Sequence, residues 1–154
     1  MKTKEKSMFS FYRKYWDYGE KIIEYDSKIA IFIKNYSINQ IFESFKKNSM
    51  ILKESDKKEF EHMIRQLKEE KKNLNEESSN CTVDDYKVLM SHIFSKVDED
   101  DRYGEITVTT SFSFKLVADL IDVLAVWGEI PEEWVKISNY ICIIFIFFTI
   151  REVL

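Results

Sequence analysis

From residue 8 onward, apolar side chains return every three or four positions, the interval of an α-helix rather than the alternation of a strand. Met8, Phe11, Tyr12, Tyr15, Gly19, Ile22 and Ile23 form the first such stripe. Asp26-Ser27 interrupts it and offers a cap for a second helix. That helix reads Ile29, Phe32, Ile33 and Tyr36, then less regularly Ile41, Phe42 and Phe45. Ser55-Asp56 with Glu59 has the form of a capping signal for a third helix. Its stripe is Phe60, Met63, Ile64, Leu67, Lys71 and Leu74, and the charged run Arg65 to Lys72 reads as a solvated face. Residues 76–82 are small and polar, which suits a linker.

Thr82-Val83-Asp84-Asp85 then opens a fourth helix with carboxylates at its positive end, its stripe Tyr86, Leu89, Met90, Ile93, Phe94 and Val97. The most apolar helix follows. At roughly 100° per residue, Leu116, Val117, Leu120, Val123, Leu124 and Trp127 share one face. Phe114, Ala118, Ile121 and Ala125 share a second. Lys115, Asp119 and Asp122 leave only a narrow polar strip, and Gly128 supplies a stop. A helix apolar over most of its circumference is packed on two sides. It is therefore expected to be the central element, with Trp127 in the core. Glu105 to Phe112 is β-branched and would pass for a strand by local preference, but a strand would have no partner elsewhere in the chain. It is read as the first turns of the central helix. Pro131, with Glu132 and Glu133 beside the dipole, starts the last helix.

Composition narrows the choice further. Three Gly and one Pro in 154 residues, with 32% charged residues, favour long helices over a turn-rich β architecture. A formal net charge of −4 argues against nucleic acid as the main partner. Cys81 and Cys142 match no ligand spacing and read as reduced thiols. The charged N-terminus lacks the apolar run of a signal peptide. An EF-hand loop counted from Asp98 would need Gly and an acidic residue where Tyr103 and Thr109 stand, so calcium is excluded there. Asp98–Asp101 reads instead as an inter-helix turn. His62 and His92 have no paired ligand at helical spacing. No phosphate loop or nucleophile motif is present, so neither an enzyme nor a cofactor or metal is expected.

A family resemblance sits in the second half. Ser113-Phe114, Leu120-Ile121-Asp122-Val123 and Val126-Trp127-Gly128-Glu129-Ile130 resemble the core helix of the Vta/LIP family. Val97-Asp98-Glu99-Asp100-Asp101-Arg102-Tyr103-Gly104 is similar to the acidic turn before it. Tyr25-Asp26 through Ile29-Ala30 to Tyr36 matches a family segment more loosely, with Ser27 in place of Pro. Val135-Lys136 through Tyr140 fits a family helix, and after Tyr140 the likeness lapses. The family comprises cofactors of the Vps-four AAA ATPase, which disassembles ESCRT-III filaments on endosomal membranes.

The resemblance implies an all-α fold of six or seven helices. These would form two tandem three-helix MIT-like modules packed together, residues 1–76 and 77–154. It further implies an adaptor, cytoplasmic and peripheral on endosomal membranes, that binds ESCRT-III helices in multivesicular body sorting. If the first module works as MIT domains do, a partner helix lies between the second and third helices. Lys34, Ser37, Ile38, Ile41, Met63, Gln66 and Glu70 would line that site, with Glu70 meeting a basic partner residue. In the second module, the strip of Asp119 and Asp122 beside the acidic turn reads either as simply solvated or as a face for a basic partner helix. In the family a separate C-terminal segment dimerises and engages the ATPase. The chain stops before such a segment, as a fragment or a shortened relative, and neither property is expected of it.

Ile141 to Ile150 is an apolar run of about ten residues, short of the roughly twenty that span a bilayer. It reads either as a buried final helix or as a translated non-coding stretch. A second function, a membrane-surface protein anchored by this run, is disfavoured because only Lys136 and Arg151 flank it with positive charge.

Overall fold

The computed structural model describes residues 8–47, 53–74, 81–102 and 108–153, with side chains for 9–47, 53–74, 81–99 and 113–144. The fold is all-α, and no strand occurs among the described residues. Six helices follow in order: α1 Met8–Ile22, α2 Ser27–Lys46, α3 Glu54–Lys72, α4 Val83–Arg102, α5 Val108–Val123 and α6 Glu132–Val153. The chain divides into two compact units, Met1–Cys81 and Thr82–Leu154.

In the first unit α1 and α2 form a tight antiparallel hairpin. Asp26 caps α2 as its residue type suggests: its Oδ1 accepts from the Lys28 and Ile29 amides at 2.9 and 3.1 Å. Gly19 is required by proximity. An added Cβ would stand 2.6 Å from Lys34 Cγ and 3.0 Å from the Ala30 carbonyl oxygen, so the helices approach more closely than a side chain permits. Tyr15 and Tyr36 meet edge-to-face beside this contact, 5.1 Å between centroids. α3 then closes the core, where Phe9, Trp16, Ile31, Ile41, Met63 and Leu67 are buried together and Tyr12, Ile38, Phe60 and Leu74 pack against them. The Ser55-Asp56 capping signal is not used. α3 begins at Glu54, and Lys53 stands at its N-cap without a side-chain bond. Glu54 and Asp56 act instead as first-turn charges at the positive end of the helix.

In the second unit the Thr82 hydroxyl accepts from the Asp85 amide at 3.1 Å and starts α4. Tyr86, Met90 and Val97 of α4 are buried, as are Phe114, Val117, Leu120, Ile121 and Leu124 of the central segment and Trp134 and Ile141 of α6. The Tyr86 hydroxyl donates to the Leu120 carbonyl. Phe94 meets the rings of Phe114 and Tyr140 edge-on. Val108 to Phe112 are helical, so the β-branched run yields to its tertiary setting; residues 103–107 lie outside the described residues.

Four expectations need correction here. Asp98–Asp101 is not a turn: α4 continues through Arg102, so this stretch is the last part of a helix. Asp98 there accepts from the Tyr140 hydroxyl at 3.3 Å. The central helix does not run to Gly128; it tightens into a 3-10 turn, Leu124–Trp127, and Gly128 follows at φ 133°. That tightening shifts the register, so Trp127 is only half-buried, tilted against Tyr86 at 5.3 Å, and Ala125 is exposed. Pro131 stands just before α6, its carbonyl accepting from the Trp134 and Val135 amides.

Candidate functional site

The residues expected to line a groove between the second and third helices do converge, but on each other. Lys34 is fully buried. Its ammonium sits 2.7 and 3.0 Å from the two carboxylate oxygens of Glu70 and 3.3 Å from Glu20 Oε1. It also lies 4.7 Å from the centroid of the Trp16 ring. The Gln66 amide donates to Glu20 Oε1 at 2.9 Å and to Glu70 Oε1 at 3.2 Å. One polar network thus joins α1, α2 and α3. A buried ammonium needs such partners, because desolvation alone would cost several kcal/mol, on the order of the whole stability of a small unit.

Ser37 is buried too, its hydroxyl donating to the Tyr12 carbonyl at 2.7 Å. Ile41 and Met63 belong to the hydrophobic core, and Ile38 is half-buried against it. The basic group expected to meet Glu70 from a partner is therefore supplied by the chain itself, from Lys34. Of the seven residues, Ile38, Gln66 and Glu70 keep partial exposure.

Asp119 and Asp122 lie elsewhere, on α5 of the second unit. Asp122 is exposed and Asp119 half-buried, on the strip they share with exposed Lys115. His62 and His92 are exposed on different units. Among the described residues, no three His, Cys, Asp or Glu side chains are grouped to hold a metal ion.

Sequence reasoning missed the aromatic residues on the outside of α2. Phe42 and Phe45 are 51% and 47% exposed. The signal was the loss of regular spacing after Tyr36. With Ile41 buried, Phe42 is turned about 100° away from the core.

A sequence model described as Vta1 like matches residues 5–144. The chain belongs to the Vta1-like family. The match covers both units and ends within α6, in the apolar run that begins at Ile141. Membership implies a regulatory, ESCRT-associated role alongside the Vps-four ATPase, in an adaptor family rather than a family of enzymes. A direct search of curated proteins finds no match. Among the described residues no helix is long and apolar enough to cross a membrane.

Proposed function

We propose that this Vta1-like chain is a helical adaptor that binds ESCRT-III subunit helices. Through them it supports regulation of the Vps-four ATPase in multivesicular body sorting, in the cytoplasm and peripherally on endosomal membranes. The observation that carries the binding surface is the α5 strip of the second unit. Asp119 and Asp122 stand one helical turn apart there, on a helix whose other faces are largely buried. An exposed acidic strip suits an amphipathic helix with basic residues along its flank. The first unit supports this reading less, since its expected lining is committed to internal contacts.

Charges at the rim of an interface act mainly on association rate and salt dependence. Titration of ESCRT-III C-terminal segments into the chain and into Asp119→Lys/Asp122→Lys, at low and high salt, tests the assignment. Binding should weaken in the variant, the difference should shrink as salt rises, and circular dichroism should remain unchanged. Wild-type affinity in the variant for every segment that the parent binds would move the surface elsewhere.

A further inference from the structure

The outer face of α2 and α3 carries a second kind of surface. On α2, Asn35, Asn39, Phe42 and Lys46 recur at helical spacing and share one side. On α3, Lys57, Ile64, Lys68 and Lys71 do the same, with Glu61 contributing one carboxylate. The two stripes lie side by side, because the Lys71 ammonium donates to Asn35 Oδ1 at 3.0 Å. The antiparallel order fixed by that bond and by Lys34–Glu70 sets Phe42 level with Ile64. Lys46, Lys57, Lys68 and Lys71 are all exposed, and Phe45 stands one turn from Phe42. In a chain of net charge −4, this face is locally basic.

We infer that this face docks on an anionic lipid surface. Phe42 and Phe45 of this face are about half exposed. The seam beneath it is already filled by Ile38, Ile41, Met63 and Leu67. A partner helix needs a trough to receive its side chains. Exposed phenylalanines flanked by lysines fit a headgroup boundary, where rings insert and ammonium groups meet anionic lipid. Charge complementarity selects the occupant, since the two stripes carry four lysines and one glutamate, with Glu43 and Glu54 at their margins. The inference is independent of the ESCRT-III surface proposed on α5.

Flotation of the whole chain with phosphatidylcholine vesicles, with and without phosphatidylserine, tests it. Flotation should require phosphatidylserine and fall as salt rises. Lys46→Ala/Lys68→Ala should lower partitioning about 25-fold, at about fivefold per lysine. Phe42→Ser/Phe45→Ser should abolish flotation with helical content unchanged. If the phenylalanine variant fails to fold, the lysine variant, confined to exposed positions, decides alone. Equal flotation on both vesicle types overturns the proposal. So does flotation unaltered in the folded variants, which would place vesicle binding elsewhere in the chain. A wild-type chain that ignores vesicles but binds an acidic amphipathic peptide, with loss in the phenylalanine variant, would make the face a protein-docking surface instead.

Discussion

The two units close their interiors with different materials. Where its three helices meet, the first holds a buried ammonium, two carboxylates and an amide beside Trp16. The second is built of hydrocarbon and aromatic rings, joined by the Tyr86 hydroxyl on the Leu120 carbonyl. Its polar strip on α5, with Lys115 and Asp122, faces outward. A polar residue near a helix seam can thus have opposite meanings. In the first unit it is a structural cross-link; in the second it lies at the surface. Burial distinguishes them, and burial depends on which helix lies opposite.

Three sets of substitutions sharpen or break this contrast. The largest effect is expected at Lys34. Lys34→Ala removes the ammonium that pairs Glu70, leaving it only the Gln66 amide, and should lower stability by about 3–5 kcal/mol, whereas replacing both Lys34 and Glu70 with Met should recover most of it. Urea unfolding measures both, and an unchanged midpoint for Lys34→Ala would mean that the network does not hold the first unit. Trp134 of the second unit should match it, with Trp127 below. Trp134 is fully packed, so Trp134→Ala should cost about 3–5 kcal/mol and half-buried Trp127→Ala about half that. The reverse order in thermal melts would restore Trp127 to the core. The smallest concerns Gly128, whose φ of 133° strains any side chain although nothing stands within 4 Å of an added Cβ. Gly128→Ala should cost about 1–2 kcal/mol through backbone strain alone, with circular dichroism unchanged; a neutral melt would show that the turn relaxes.

Much of the framework was legible along the chain. Asp26 was a visible cap, and the buried stripe of Tyr86, Met90 and Val97 followed the helical period. The helical start of the central segment was legible only by asking what a lone strand could pair with. Fine boundaries were less so. α4 runs through its acidic stretch and α5 tightens before Gly128, since the energies that separate one more helical turn from a 3-10 turn or a loop are small and set by neighbours.

What the sequence determined by itself was therefore the set of helices and the inward stripe of each, because periodicity and caps are local properties of consecutive residues. The tertiary structure decided which polar positions face solvent. Lys34 and Glu70 lie 36 residues apart, and nothing local to either announces the other. Only the packing of α3 across α1 and α2 turns an expected groove into a filled seam, with Phe42 and Phe45 left outside. Helical spacing shows the direction in which a side chain leaves its own helix; the helix packed against that side decides whether it meets water, lipid or a countercharge.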